Sequence, residues 1–358
     1  MLSLDGGGIR GVVALAVLGE LEAQLRSETG NSDLVLGEWF DYVGGTSTGA
    51  IIAACLAVGM PVKQVLAFYQ NHGEAMFQPS RRLQRLRSRY DDDALAAMLR
   101  DALGPDTTLG SDELRCLLLI VLRNATTDSP WPVSSNPAAM YNNRSLPDCN
   151  LDLPLWQLVR ASAAAPVYFP AEAIELEVGK EHVFVDGAVT PYNNPAIQLF
   201  LMATLPSYRL EWPTGEDRLL LVSVGTGSTA IADPELRAEE MGLLYNASTV
   251  PRALIHSMTV HQDLMCRVLG RCRHGPGLDS EIGSLTLDHG PVDPALFSYV
   301  RYDAEISEDS LRAAGMTATR PRDLLGIDNV GHIEEMIRFG THLAKDQVRL
   351  DHVRGFIG

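Results

Sequence analysis

Apolar residues along this chain fall into two patterns that alternate. Val12, Leu15, Leu18, Leu21 and Leu25 recur near the helical period, which predicts an amphipathic helix stopped at Gly30. Short apolar runs stand between such segments. Residues 2–4, 40–43, 116–122, 183–185 and 219–224 read as strands, with a further candidate at 297–302. The unbroken runs at 116–122 and 219–224 suit strands covered on both faces. Helices are expected after residue 47, from Pro61 to about Phe77, from a cap at Asp91 to before Gly104, over 156–164 and over 333–348. Residues 124–150, rich in Asn, Pro and Ser, are expected to form a long loop. Strand–loop–helix alternation predicts an α/β fold with a parallel-rich sheet.

The 358 residues fit one large domain or two smaller ones. With 46% hydrophobic and 21% charged residues, a sizeable core is expected and disorder as the main state is excluded. The longest apolar runs, 50–58, 116–122 and 197–205, fall short of the ~18 residues of a membrane-spanning helix, and no secretory signal is visible. A net charge of −16 argues against binding a nucleic-acid polymer, and it leaves attraction to an anionic membrane to a local patch. Cysteines at 55, 116, 149, 266 and 272 show no zinc spacing and read as reduced cytosolic thiols, so no metal is expected.

Gly45-Thr46-Ser47-Thr48-Gly49 is a G-x-S-x-G between a predicted strand and a predicted helix. In that setting the serine sits on a sharp turn with its hydroxyl exposed, and the helix directs its positive end at the same spot. Alone, the motif is also compatible with a plain turn. Asp5-Gly6-Gly7-Gly8-Ile9-Arg10-Gly11 contains G-x-G-x-x-G. Successive glycine amides make a nest for an anion, either a cofactor pyrophosphate or the oxyanion of an acyl transfer. The third feature is Val183-Phe184-Val185-Asp186-Gly187-Ala188, with an aspartate at a strand end. All three features are expected at the carboxyl ends of parallel strands, where ligands bind in such sheets.

Together with Ala161-Ser162-Ala163-Ala164-Ala165-Pro166, Tyr168-Phe169-Pro170 and Ser223-Val224-Gly225-Thr226-Gly227, these motifs resemble the patatin-like phospholipase family over roughly residues 1–230. The resemblance implies a three-layer α/β fold with a parallel-rich central sheet flanked by helices. It implies a serine–aspartate dyad, with Ser47 as nucleophile and Asp186 taking its proton and later activating water. Amides of Gly6, Gly7 and Gly8 would form the oxyanion hole, shaped by Arg10 and Gly11. Gly45 and Gly49 would shape the elbow, and Gly187 and Ala188 the turn after Asp186. The implied activity is phospholipase A-type release of fatty acids from membrane phospholipids, without a cofactor. Trp131, Met140 and Tyr141 either frame the acyl channel or lie on a surface excursion. Some bacterial members are membrane-degrading effectors switched on by cyclic nucleotides in antiviral defence. The high arginine content and the lack of a signal fit a bacterial cytosolic protein but do not show gating. A cyclic oligonucleotide activator is a further expectation from the resemblance. It carries with it a second, arginine-lined anion site.

Arg81, Arg82, Arg85, Arg87 and Arg89 form a basic run in this acidic chain. It reads either as a solvated connector paired with Asp91, Asp92 and Asp93 or as a patch facing phosphates at a membrane surface. Arg267, Arg271 and Arg273 present the same choice. Residues 231–358 exceed a catalytic core of 1–230 and are expected to complete the fold or to carry self-association, hence a homo-oligomer, or regulation. The rivals are four. A Ser–His–Asp triad would draw on nine histidines, none in a catalytic motif. A dinucleotide site wants an acid at the end of the second strand, whereas Asp33 precedes the apolar run 34–36. A neutral-lipid esterase and a catalytically weak or silent scaffold complete the set. The expected location is the cytoplasm, with transient membrane association.

Overall fold

The computed structural model describes residues 1–77, 88–90, 93–227, 236–279, 281–286 and 290–357. Among them nine strands form one sheet: β1 (Leu2–Leu4), β2 (Tyr42–Thr46), β3 (Leu117–Asn124), β4 (Ser129–Ser134), β5 (Glu172–Glu177), β6 (Lys180–Asp186), β7 (Leu220–Val224), β8 (Arg271–His274) and β9 (Ser298–Tyr302). Their order is β5-β6-β3-β2-β1-β7-β9-β8, with β4 also on β3. The pairs β1–β2, β1–β7, β2–β3, β7–β9 and β8–β9 are parallel. The pairs β3–β4, β3–β6 and β5–β6 are antiparallel.

Eleven α-helices accompany the sheet among the described residues: α1 (Gly11–Thr29), α2 (Leu36–Trp39), α3 (Thr48–Ala57), α4 (Val62–Met76), α5 (Asp93–Leu103), α6 (Leu155–Ser162), α7 (Ala196–Thr204), α8 (Leu243–Leu269), α9 (Glu308–Ala313), α10 (Pro321–Leu325) and α11 (Ile333–Gln347). Strand side chains alternate between two cores, which explains the unbroken apolar runs. Leu118, Ile120 and Leu122 of β3, with Leu220, Val222 and Val224 of β7, face α1, α3, α4, α5, α6 and α11. Leu119, Val121 and Leu221 face α7 and Cys266 of α8. A one-residue slip would exchange the two sets, so the register is strongly fixed. The result is a mixed, mostly parallel sheet between two helical layers.

Two expectations change, and a third is not tested. The second strand begins at Tyr42. The cap assigned to Asp91 lies outside the described residues. Residues 124–150 are not all loop, because Ser129–Ser134 returns along β3. The Asn124 carboxamide oxygen accepts the Thr126 and Thr127 amides and turns the chain back. Pro130 and Pro132 hid this strand. Two residues apart, they share one side of it, and β4 pairs with β3 alone, so the missing donors face away from the ladder.

Candidate active site

β3 brings the two halves of the site together. Thr46, the last residue of β2, pairs with Val121, and Asp186, the last residue of β6, pairs with Leu122. The other edge of β3 is taken by β4, so β2 and β6 share one edge and meet end to end. Ser47 and Asp186 therefore face each other, and Ser47 Oγ donates to Asp186 Oδ2 at 2.6 Å. This corrects one expectation. Asp186 ends an antiparallel strand and reaches the site head-on, because the β5–β6 hairpin reverses the chain first.

Ser47 has φ +56° and ψ −123°, a conformation that costs a side-chain-bearing residue about 1–3 kcal/mol. The surroundings hold it there. Ser162 Oγ accepts the Ser47 amide at 2.9 Å and donates to the Val121 carbonyl at 2.6 Å. A Cβ on Gly45 would strike the backbone of Gly49, and one on Gly49 would strike the Leu4 carbonyl. α3 starts at Thr48, so the positive end of its dipole lies at the serine. Asp186 is buried, and its Oδ1 accepts the Ala188 amide at 2.7 Å. Burial outweighs the hydrogen bonds from Ser47 and Ala188 and pushes its carboxyl up to about 6. Gly187 lets this turn press on the Val121 carbonyl.

The glycine loop abuts the serine, since a Cβ on Gly6 would lie 3.3 Å from Ser47 Cβ. Most of its main-chain groups are engaged. The Gly6 amide donates to the Asn193 carbonyl at 3.0 Å, and the Gly6 carbonyl accepts Thr226 Oγ1 at 3.1 Å. The Gly7 carbonyl accepts Arg10 Nε at 3.4 Å, and the Gly8 carbonyl accepts the Gly11 amide. The amides of Gly7 and Gly8 donate to no acceptor among the described residues. Arg10 also donates from Nη1 to the Gly227 carbonyl at 2.7 Å, and Gly11 packs against Thr48. Among the described residues no histidine bonds to Ser47 or Asp186.

The patatin-like phospholipase profile matches residues 2–200 of the chain. The chain belongs to the patatin-like phospholipase family. Patatin-17 from Solanum cardiophyllum is 31% identical over 257 residues, covering 67% of this chain and 63% of that protein. Patatin-T5 from Solanum tuberosum is 30% identical over 260 residues, with the same coverage. The chain thus spans less than two thirds of the length of these relatives. VipD from Legionella pneumophila, a solved structure, is similar with a TM-score of 0.35 at 15% identity, covering 94% of this chain and 66% of that one.

Ser47, Asp186 and the glycine loop lie inside the patatin-like match, whereas Thr226, Gly227, Arg301 and Asp303 lie beyond it. Of the arginine run, Arg81, Arg82, Arg85 and Arg87 lie outside the described residues. Arg89 pairs with Asp328 at 2.8 Å and lies over the Tyr168 ring. The second cluster is no shared patch. Arg267 is buried against Asp263, Arg271 pairs with Glu216, and Arg273 donates to the carbonyls of His352 and Arg354. Met140 and Tyr141 are exposed beside a cavity of about 1050 Å³ lined by Phe40, Asp41, Leu117 and Asn142, at the amino ends of β2 and β3, away from Ser47. No helix among the described residues is long and apolar enough to cross a membrane.

Sequence reasoning missed Asn193 on the glycine loop and Arg301 and Asp303 behind Asp5, and it quoted Ser162, under the elbow, and Thr226, on the glycine loop, only within motifs, without a role. The available signal was polar residues interrupting apolar strands, namely Ser223 within 219–224 and Arg301 within 297–302.

Proposed function

We propose that this protein is a serine acyl hydrolase that releases fatty acids from membrane phospholipids, in the manner of a phospholipase A. The observation that carries this reading is the Ser47–Asp186 hydrogen bond at a strained elbow, beside two glycine amides that meet no acceptor among the described residues. Ser47 Oγ attacks the ester carbonyl carbon as its proton passes to Asp186 Oδ2. The carbonyl oxygen becomes an oxyanion, and the Gly7 and Gly8 amides are the donors free to hold it. Collapse breaks the carbon–oxygen bond to the glycerol, whose oxygen takes the proton from Asp186. Water then gives a proton to Asp186 and attacks the acyl carbon. The Ser47 oxygen leaves, recovers that proton and frees the fatty acid. A carboxyl near 6 is a stronger base than an ordinary aspartate and is still ionised at neutral pH.

In its finer form the reading includes transient contact with a membrane surface and activation by a cyclic oligonucleotide. It also has residues 231–358 complete the fold, which the place of β8, β9 and α11 in the sheet and core supports. The test is fatty acid release from mixed phospholipid vesicles by wild type and Ser47→Ala, with and without a panel of cyclic oligonucleotides. Release by wild type alone supports the hydrolase. Release that needs one nucleotide supports gating. No Ser47-dependent release under any condition rejects the phospholipase and returns the choice to a neutral-lipid esterase or a silent scaffold.

A further inference from the structure

The strands at the centre of the sheet carry an unexpected polar row. Ser3 of β1 pairs with Ser223 of β7, and Ser223 pairs with Arg301 of β9. All three interrupt apolar strands on the side that faces α7 and α8. One step further, past the paired registers, come Asp5, Gly225 and Asp303. The ladder continues there through Asp5 N–H to the Val224 carbonyl at 3.1 Å and Gly225 N–H to the Tyr302 carbonyl at 2.8 Å. Gly225 has no side chain because the Asp303 carboxylate fills that space.

The buried Arg301 guanidinium spans this gap. Nη1 donates to Asp5 Oδ1 at 2.9 Å and to Ser223 Oγ at 2.7 Å. Nη2 donates to Asp5 Oδ2 at 2.6 Å and to Asp303 Oδ2 at 2.7 Å. Burial opposes its charge, but Asp5 and Asp303 together hold it protonated more firmly than an ordinary arginine. Asp303 Oδ1 in turn accepts the Gly227 amide at 3.1 Å, and the Gly227 carbonyl accepts Arg10, whose Nε returns to Gly7. The path closes on itself, from Asp5 through Arg301, Asp303, Gly227 and Arg10 to Gly7. The segment it encloses, Gly6 to Gly8, is the one whose Gly7 and Gly8 amides, beside Ser47, meet no acceptor among the described residues.

We infer that Arg301 is a positioning residue for the glycine loop, holding the Gly7 and Gly8 amides where the oxyanion forms. The inference deepens the hydrolase reading and rests on it. Arg301 touches no reacting atom. It fixes Asp5 at the start of the loop and, through Asp303 and Arg10, fixes its middle. Lysine would keep the charge, but one ammonium with three donors cannot reproduce the fork that grips Asp5 and reaches Asp303 and Ser223. Misplacing donors by about 1 Å costs on the order of 100-fold in rate.

The experiment compares wild type, Arg301→Lys and Asp5→Asn in the full chain. Active sites are counted by covalent titration of Ser47 with a fluorophosphonate, and kcat and KM are measured per titrated site on phospholipid vesicles. Inhibition by a trifluoromethyl ketone, which forms a tetrahedral adduct, reports on the oxyanion donors. The expected result for each variant is a 10- to 100-fold lower kcat per titrated site, a matching loss of ketone affinity, and a KM within about twofold of wild type. A purely structural role predicts fewer titrated sites with normal kcat and normal ketone affinity, and that result overturns the inference. Asp5→Asn keeps the shape of the carboxyl and supplies the same readout if Arg301→Lys does not fold. A wild type that turns over while both variants match it defeats only the positioning role. A wild type that neither turns over nor labels defeats the hydrolase reading and this inference with it.

Discussion

Asp186→Asn should do two opposite things, and both follow from one buried carboxyl. The substitution keeps the side chain's shape and an oxygen able to accept the Ala188 amide, but it removes the charge that receives the Ser47 proton in the proposed mechanism. Losing a general base of this kind costs roughly 100- to 10,000-fold in turnover. Stability should move the other way. The carboxyl titrates near 6 in the folded protein against 3.8 in a free aspartate, so between those values the native state holds the extra proton. Stability therefore falls as pH rises through that window. The gap corresponds to about 3 kcal/mol once both states are ionised. Asparagine escapes this cost. The variant should be more stable by about 3 kcal/mol near pH 7.5 and by only about 1 kcal/mol near pH 4.5. For a chain of this size, 3 kcal/mol raises Tm by about 4 °C. Scanning calorimetry of both proteins at the two pH values, beside fatty acid release, reads both effects. A variant equally destabilised at both pH values, or one that keeps its activity, would refute the assignment of Asp186 as a desolvated base.

Three further outcomes are expected. The kcat/KM of wild type should rise with pH with unit slope and level off above about 6, because only ionised Asp186 accepts the proton; a flat profile between about pH 5 and 7 would contradict this. Ser162→Ala leaves the Ser47 amide and the Val121 carbonyl without their shared partner, and should cost about 1–3 kcal/mol in urea unfolding together with a clear drop in kcat. Gly7→Ala drives a Cβ into Thr226 and should lower kcat at least about 10-fold with little change in KM; unchanged turnover would show that the glycine loop holds no oxyanion.

The residues that meet at the candidate site were legible because their signals are local. The elbow around Ser47, the glycine run after β1 and the Asp186 turn each announce themselves through residues that ordinary strands and helices avoid. The unbroken runs at β3 and β7 likewise follow from burial on both faces. What stayed hidden depends on pairing. Nothing in Lys180–Asp186 says that it runs antiparallel to β3, and the charged hairpin from Glu172 to Lys180 reads as loop until its partner strand is known. Ser223 and Arg301 look like flaws in apolar strands when taken singly, and Asp303 like an ordinary polar residue after one. Only the register that aligns them with Ser3 and Asp5 turns them into one buried network. The prolines of β4 masked a strand for the opposite reason, since their local signal was strong and misleading.

Because β2 and β6 are both measured against β3, the spacing of Ser47 and Asp186 along the chain is free to drift. Lengthening the excursion of residues 135–150 would leave Ser47 and Asp186 at neighbouring rungs. Deleting one residue within Leu117–Asn124 would put the strand on one side of the cut out of register and exchange its two core faces there. For anyone grafting new loops onto this scaffold, the long connections are the places to cut, and β3 is the stretch to leave untouched.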